Sequence, residues 1–375
     1  MPQDVATAPA LRLTPLVAGL PATVPFVGPE TQERALGRAF AARIGANESV
    51  FGPSPKAVAA MAAAAGELWM YGDPTLHDLR AALAAHHGVR PENVMVGEGI
   101  DGLLGLLVRL LVTDGTPVVT SEGAYPTFNY HIAGFGGRRV AVPYRDDHED
   151  PEALARAAHE TGAPLVYLSN PDNPMGTWHD AVTVLRLAGA LPAGTILCLD
   201  EAYAEFAPAE AIPPIDPEDP RLIRMRTFSK AQGLAGLRVG YALGHRDLIA
   251  AFDRIRNHFG VGRLAQAGAM AALADRDWLA QVQGRVTAAK ARIGAIAAAN
   301  GLRALPSAAN FVAVDIGADG AAAKRVVEGL IARGIFVRMP FAAPQNRCIR
   351  VSAGTEADLD ALAAALPEAL AEALA

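Results

Sequence analysis

Residues 224–244 read RMRTFSKAQGLAGLRVGYALG. One lysine, Lys230, follows an apolar-rich run holding Leu222, Ile223, Met225 and Phe228. It precedes Gly233, Gly236 and Gly240, and Arg238 stands eight positions on. Lysine normally stays on the surface because its ammonium is strongly hydrated. In this setting it is either a solvated side chain on a loop or a desolvated amine, whose lowered pKa suits Schiff-base chemistry. Alone, the stretch favours the first reading. The segments on either side shift the balance.

Upstream, short apolar strands alternate with helices. Val94–Val96 reads as a strand, followed by Gly97-Glu98-Gly99-Ile100-Asp101 and a strongly apolar helix. The pattern repeats with strands at Pro117–Thr120, Arg139–Val142, Leu165–Leu168 and Thr195–Leu199, the last ending in Asp200-Glu201-Ala202-Tyr203. Helices are expected over Pro126–Ala133 and from Asp150-Pro151-Glu152 to Gly162, with good cap chemistry at both ends of the second. Nearer the N-terminus a helix is expected over Thr31–Ile44. Another runs over Ser54–Ala65 with Pro55 in its first turn, and a third starts at Thr75 with Asp78 as a capping-box partner.

Such alternation argues for an α/β fold with a mostly parallel sheet, its ligand crevice beyond the carboxyl ends of the strands. The polar residues at those ends are therefore the candidates: Gly97 to Asp101, Tyr125, Asn173, Asp200, Tyr203 and Lys230. Downstream of Gly262 the texture changes to long alanine-rich helices. Strands follow at Asn310–Val314, Ile335–Arg338 and Cys348–Val351, with helices over Ala321–Arg333 and from Thr355. The expected organisation is an N-terminal arm (1–45), a three-layer large domain (46–262) and a smaller α+β domain (263–375).

Composition narrows the function. The chain has 375 residues, 51% of them hydrophobic and 19% charged, with a net charge of −6. That balance suits a fully folded protein and offers no electrostatic footprint for nucleic acid. The longest apolar segment, Leu103–Val112, is broken by Gly105 and Arg109 and is far short of a membrane span. Two cysteines, Cys198 and Cys348, imply no disulfide framework, and a reducing compartment is the default. Asp4, in place of a basic cluster, argues against a signal peptide, so a cytoplasmic protein is expected. The nine histidines form no metal-ligand spacing.

Taken together, the candidates suit one chemistry. A lysine can hold an aldehyde as an imine. An aspartate can keep a ring nitrogen protonated. A tyrosine hydroxyl and an asparagine amide can hydrogen-bond a phenolate. A glycine turn at a helix start, with Arg238, can hold a phosphate. An aromatic ring such as Tyr125 can stack on a flat cofactor. These are the requirements of pyridoxal phosphate. Each residue also has a plainer reading. Asp200 can be a helix cap, Tyr125 and Tyr203 half-buried aromatics, Asn173-Pro174 a turn signal, Arg338 a solvated strand end, and Cys198 a buried strand residue.

Five ordered motifs, RTFSKAQGLAGLRVGY, DEAYAEF, NPDNPMG, SAANF and IRVSAGT, decide between these readings. The chain resembles the fold-type-I pyridoxal-phosphate-dependent aminotransferases over nearly its whole length from Asn47, and most closely the histidinol-phosphate aminotransferase-like branch. The resemblance implies that Lys230 is the Schiff-base lysine and that Asp200 pairs with the pyridine nitrogen. Tyr203 and Asn173 hold the phenolate oxygen, and Tyr125 stacks on the ring. Gly99, Ile100 and Asp101, with Thr227, Ser229 and Arg238, hold the phosphate. Tyr71 reaches the phosphate of a neighbouring subunit, which implies a homodimer. Arg350, with Arg338 beside it, binds the substrate anion, and Asn47 belongs to a mobile segment over the site. Guanidinium binds carboxylate and phosphate alike in forked geometry, so one arginine pair suits both glutamate and histidinol phosphate.

The chain departs from that branch at Ser49 (Asn-Glu-Ser for Asn-Glu-Asn), Gly72 (Tyr-Gly-Asp for Tyr-Pro-Asp), Met175 and Gly102. The first two lie in segments that shape the substrate side. The expected activity is amino transfer between glutamate or 2-oxoglutarate and a second partner, foremost histidinol phosphate. Alternatives are an aromatic amino acid aminotransferase and a decarboxylase of an amino-acid phosphate. An aminotransferase-like regulator would carry a basic DNA-binding domain, and the region before Asn47 has none. A dinucleotide oxidoreductase would need a Gly-x-Gly-x-x-Gly after its first strand.

Overall fold

A computed structural model describes residues 11–21 and 27–375. Residues 1–10 and 22–26, parts of the expected N-terminal arm, lie outside the described residues. The strands are β1 (Ala42–Arg43), β2 (Val94–Gly97), β3 (Pro117–Ser121), β4 (Arg138–Val142), β5 (Leu165–Ser169), β6 (Ile196–Asp200), β7 (Leu222–Thr227), β8 (Gly240–Leu243), β9 (Arg303–Ala304), β10 (Phe311–Asp315), β11 (Ile335–Phe336) and β12 (Cys348–Ser352).

Seven of them form one sheet in the order β2-β8-β7-β6-β5-β3-β4. Every neighbouring pair in it is parallel except those made by β8, which runs antiparallel to both β2 and β7. The α/β expectation holds. β5 and β6 are buried along their whole length apart from Ile196, as continuous apolar runs must be when helices cover both sheet faces. One face packs Leu103, Leu107, Phe128 and Phe252 against Tyr167 and Cys198. The other packs Leu154, Val184 and Leu187 against Val166 and Leu197. Cys198 is a buried strand residue, as its plainer reading had it.

The C-terminal unit places β10 between β12 and β9, antiparallel to both. Val312, Val314, Ile349 and Val351 pack against the helices Arg276–Ala299, Gly320–Ala332 and Glu356–Leu374. Thr355 caps the last of these in a capping box with Asp358. β1 pairs in parallel with β11, so the chain entering from the N-terminal side joins this unit. The helix Arg263–Ala274, expected with the C-terminal unit, instead buries Ala265, Ala269 and Ala272 in the cluster that holds Ala57, Leu83 and Val94.

Two local expectations fail. The helix expected over Thr31–Ile44 spans only Pro29–Leu36, because Gly37 takes the left-handed conformation (φ 68°) and the chain leaves extended to form β1. Glycine adopts that geometry without the Cβ clash other residues meet. The helix near Thr75 begins at His77, and its orphan N–H groups are met by Asp73, not by a Thr75–Asp78 box. Asp73 accepts from the main-chain N–H of Thr75 and of His77, each at 2.8 Å.

Candidate active site

The site forms where β5, β6 and β7 end and β8 begins. β6 terminates at Asp200, whose carboxylate is buried between strands. Tyr167, on β5, donates its hydroxyl to Asp200 Oδ2 at 2.6 Å, and the Ala202 N–H donates to Oδ1 at 3.0 Å. Burial pushes the Asp200 pKa up to about 6, against these two hydrogen bonds, which favour the ionised form.

β7 ends at Thr227 and hands the chain to Phe228, Ser229 and Lys230. The Lys230 Nζ donates to the main-chain carbonyl of Asn47 at 3.0 Å and stands 5.7 Å from the Tyr203 ring centre. Burial lowers its pKa to about 8, and the nearby Arg350 and Arg238 guanidiniums add to the effect. About a tenth of such an amine is neutral at pH 7, far more than of a solvated lysine, which suits both imine formation and proton abstraction.

The antiparallel β8 is what brings the anion-binding parts together. Gly240 pairs with Thr227 on one side and Gly97 on the other. The N-terminus of the helix Gly99–Leu111 packs directly on this strand: a Cβ on Gly240 would lie 2.8 Å from Gly99 C and Ile100 N. Gly99 itself has φ 76°, and a Cβ there would lie 2.7 Å from Arg238 Nη2. Helix N–H groups, a guanidinium and the Thr227–Ser229 hydroxyl pair (2.9 Å apart) converge there, the donor set an anion requires.

On the opposite wall, Arg350 of β12 donates from Nη1 to Asn173 Oδ1 at 2.5 Å and from Nη2 to the Gly45 carbonyl at 3.3 Å. Its guanidinium lies 5.3 Å from the Phe311 ring centre, and its Nε is buried with no partner among the described residues. Asn47 is 2% exposed with φ 55°, not poised in open solvent. Its Nδ2 donates to the Tyr203 hydroxyl at 3.0 Å.

A cavity of about 340 Å³ is lined by twelve of the fifteen residues picked out from the sequence: Asn47, Ile100, Asp101, Tyr125, Asn173, Asp200, Tyr203, Thr227, Ser229, Lys230, Arg238 and Arg350. Gly99 lies just behind the wall, against Arg238. Arg338 is joined to Arg350 through main-chain bonds, and its guanidinium donates to the Val27 carbonyl at 2.7 Å and stands over Phe336. Tyr71 lies away from the cavity, 78% exposed, with its ring 4.6 Å from that of Phe259.

Several participants escape sequence reasoning. Tyr167 looks like any apolar-strand aromatic, and only β5–β6 pairing shows that it faces Asp200. Glu48 and Ser169 also line the cavity. Beneath the floor, Glu201 accepts from Arg224 at 2.9 and 2.6 Å and from Arg226 at 2.9 Å, all buried. Charged residues in adjacent strands were the available signal for this cluster.

The cavity fits pyridoxal phosphate by its donor set. It offers an amine of lowered pKa, a buried carboxylate at the floor, and an anion cradle that needs glycine at two positions. No group of three or more possible metal ligands occurs among the described residues.

Residues 43–366 match the family Aminotransferase class I and II. The chain belongs to this family. This aminotransferase is 38% identical to the histidinol-phosphate aminotransferase of Roseiflexus castenholzii, over 95% of its own length and 97% of the relative's. Among solved structures, the aminotransferase superposes on histidinol-phosphate aminotransferase from Sinorhizobium meliloti, a complex with pyridoxal-5'-phosphate. The TM-score is 0.94 and the identity 56%, with 97% of this chain and 98% of that one covered. It also shares its fold with L-threonine-O-3-phosphate decarboxylase from Porphyromonas gingivalis, at a TM-score of 0.76 and 19% identity, covering 88% and 99% of the two chains.

Proposed function

We propose that this aminotransferase takes pyridoxal 5'-phosphate in the Lys230 cavity and moves an amino group between glutamate and the histidinol phosphate skeleton. The observation that carries the reading is a half-buried lysine of lowered pKa in one cavity with a buried aspartate, in a chain 56% identical to a histidinol-phosphate aminotransferase over 97% of its length.

When bound, the cofactor supplies an aldehyde that takes up the amino group and a ring that accepts the electron pair released from Cα. The chain's own residues do the rest. Lys230 anchors the resting cofactor, then moves a proton between substrate Cα and cofactor C4′. Asp200, held ionised by Tyr167 and the Ala202 N–H, keeps the ring nitrogen protonated. Tyr203 and Asn173 hold the ring oxygen; Asn173 already accepts from Arg350 on Oδ1, so its Nδ2 is the group left to donate. Tyr125 stacks on the ring. Gly99, Ile100, Asp101, Thr227, Ser229 and Arg238 hold the phosphate. Arg350, with Arg338 beside it and its Nε unpartnered, binds the carboxylate of glutamate or the phosphate of the partner substrate.

We further propose a homodimer. Tyr71 lies with the exposed apolar residues Leu68, Trp69 and Phe259, a surface suited to a second copy whose site Tyr71 would complete. No helix among the described residues is long and apolar enough to cross a membrane. Two buried free thiols fit a reducing, cytoplasmic setting.

The test is a donor panel with 2-oxoglutarate as acceptor, offering histidinol phosphate, phenylalanine and tyrosine. Histidinol phosphate is expected to give the highest kcat/KM. A preference for phenylalanine or tyrosine would make the protein an aromatic aminotransferase, and carbon dioxide release without amine transfer would make it a decarboxylase.

A further inference from the structure

Around Asn47 the structure holds an unbroken series of buried hydrogen bonds with a fixed direction. The Asn47 main-chain N–H donates to Ser352 Oγ at 3.0 Å. Ser352 Oγ lies 3.1 Å from Asn47 Oδ1, and Asn47 Nδ2 lies 3.0 Å from the Tyr203 hydroxyl. Asn47, Ser352 and Tyr203 are 2%, 1% and 3% exposed, so water does not compete at these groups.

A main-chain N–H can only donate, so Ser352 Oγ must accept from it, and the serine proton must go elsewhere. Asn47 Oδ1 is the acceptor in reach. Were the amide flipped, Ser352 would face two donors and its own buried hydroxyl would lack an acceptor, a costly state. With Oδ1 held toward Ser352, Nδ2 faces Tyr203 and donates to it. The tyrosine oxygen is thus occupied as an acceptor, and its own proton is left for the cavity.

We propose that Ser352 is a positioning residue that fixes the orientation of the Asn47 amide and thereby makes Tyr203 a hydrogen-bond donor toward the cofactor's ring oxygen. The assignment deepens the proposed pyridoxal-phosphate reading and rests on it. It also ties substrate recognition to cofactor electronics. Ser352 and Arg350 lie two residues apart on β12 and share one face of the strand. The same strand therefore presents the anion-binding guanidinium and the hydroxyl that starts the series. Segment 44–47 is laced to it by the Ser352 N–H to the Ile44 carbonyl (2.8 Å), Arg350 Nη2 to the Gly45 carbonyl (3.3 Å) and Asn47 N–H to Ser352 Oγ (3.0 Å). Asn310, which directly precedes β10, donates to the Asn47 carbonyl at 3.1 Å and steadies its left-handed backbone.

A donor at the ring oxygen favours its ionised form, so losing that donor raises the pH at which the bound cofactor's visible absorbance changes. The experiment titrates this absorbance in cofactor-loaded wild type, Ser352→Ala, Ser352→Thr and Asn47→Asp. Ser352→Ala is expected to raise the midpoint by roughly half to one pH unit. Ser352→Thr keeps the hydroxyl and should titrate with the wild type. Asn47→Asp keeps the shape but can only accept when ionised, so it turns the Tyr203 proton away from the cavity. It should raise the midpoint further than Ser352→Ala. An unmoved midpoint in Ser352→Ala overturns the proposal, as does a Ser352→Thr shift equal to that of alanine. Wild type lacking any pH-dependent visible band would overturn the site reading together with it.

Discussion

The Tyr167 hydroxyl donates to Asp200 Oδ2 at 2.6 Å from the adjacent parallel strand, beneath the cavity floor. Burial is the main cause that raises the aspartate's pKa to about 6, the Glu201 carboxylate adds to it, and the phenol's hydrogen bond works against that rise. Tyr167→Phe removes the bond without opening a large cavity. The pKa of Asp200 should climb further, so that more of it is protonated at neutral pH and unable to pair with a protonated ring nitrogen. Activity at pH 7 is expected to fall roughly tenfold, with the acid limb of the kcat/KM profile moved to higher pH. A profile that keeps its acid limb in place would refute this role.

Lys230 carries a stability cost that follows from the same physics. Its pKa falls from 10.5 to about 8 on folding, chiefly through burial. The unfolded chain therefore binds the proton more tightly. Stability of the cofactor-free protein should rise with pH between about 8 and 10.5, and below that window the buried charge costs about 3 kcal/mol. Lys230→Met should abolish turnover yet stabilise the cofactor-free protein at pH 7 by about 1–3 kcal/mol, less than the full amount because the bond to the Asn47 carbonyl is lost as well. Chemical denaturation of the two proteins across pH 7–10 checks both the gain and its disappearance in alkali.

Glu201 is the sole carboxylate bonded to both Arg224 and Arg226 among the described residues, and its side chain is fully buried. Glu201→Gln leaves the shape nearly intact and strands two buried guanidiniums. The expected loss is about 3–5 kcal/mol, far above that of an exposed pair such as Lys324–Glu328. Urea midpoints of Glu201→Gln and Glu328→Gln measured side by side provide the check.

Gly240 and Gly244 bracket β8 and make opposite predictions. A methyl on Gly240 meets rigid backbone on two sides, the Gly99–Ile100 peptide at 2.8 Å and the Arg226 carbonyl at 3.0 Å, whereas one on Gly244 meets only ordinary contacts from 3.4 Å outward. Gly240→Ala should push the helix N-terminus away from Arg238 and weaken cofactor binding by at least about tenfold, with a stability loss of about 1–3 kcal/mol. Gly244→Ala should be close to neutral. Cofactor dissociation constants followed by absorbance distinguish the two.

The α/β class, most strand positions and twelve of the cavity-lining residues were legible in the chain itself. Apolar strand runs and glycine-bearing turns are local signals, and residues at strand ends in such a sheet must converge. Lys230, Asp200, Asn173 and Tyr203 each had a plainer reading alone, and it was the five ordered motifs around them that singled them out. The early stop of the Pro29–Leu36 helix and the Asp73 cap were missed because competing local signals, Gly37 and Asp73, outweighed the residues chosen.

What the order of residues could not decide was orientation and partnership. Nothing local says that β8 runs antiparallel and carries Arg238 to the helix at Gly99, because strand direction is set by which surfaces must be buried together. The sequence marked Tyr203 as a site residue, but whether its hydroxyl gives or takes a proton depends on Asn47, 156 positions away, and on Ser352, 305 positions from Asn47. Hydrogen-bond direction belongs to the closed set of buried donors and acceptors. That set exists only once the chain has folded and water has been excluded.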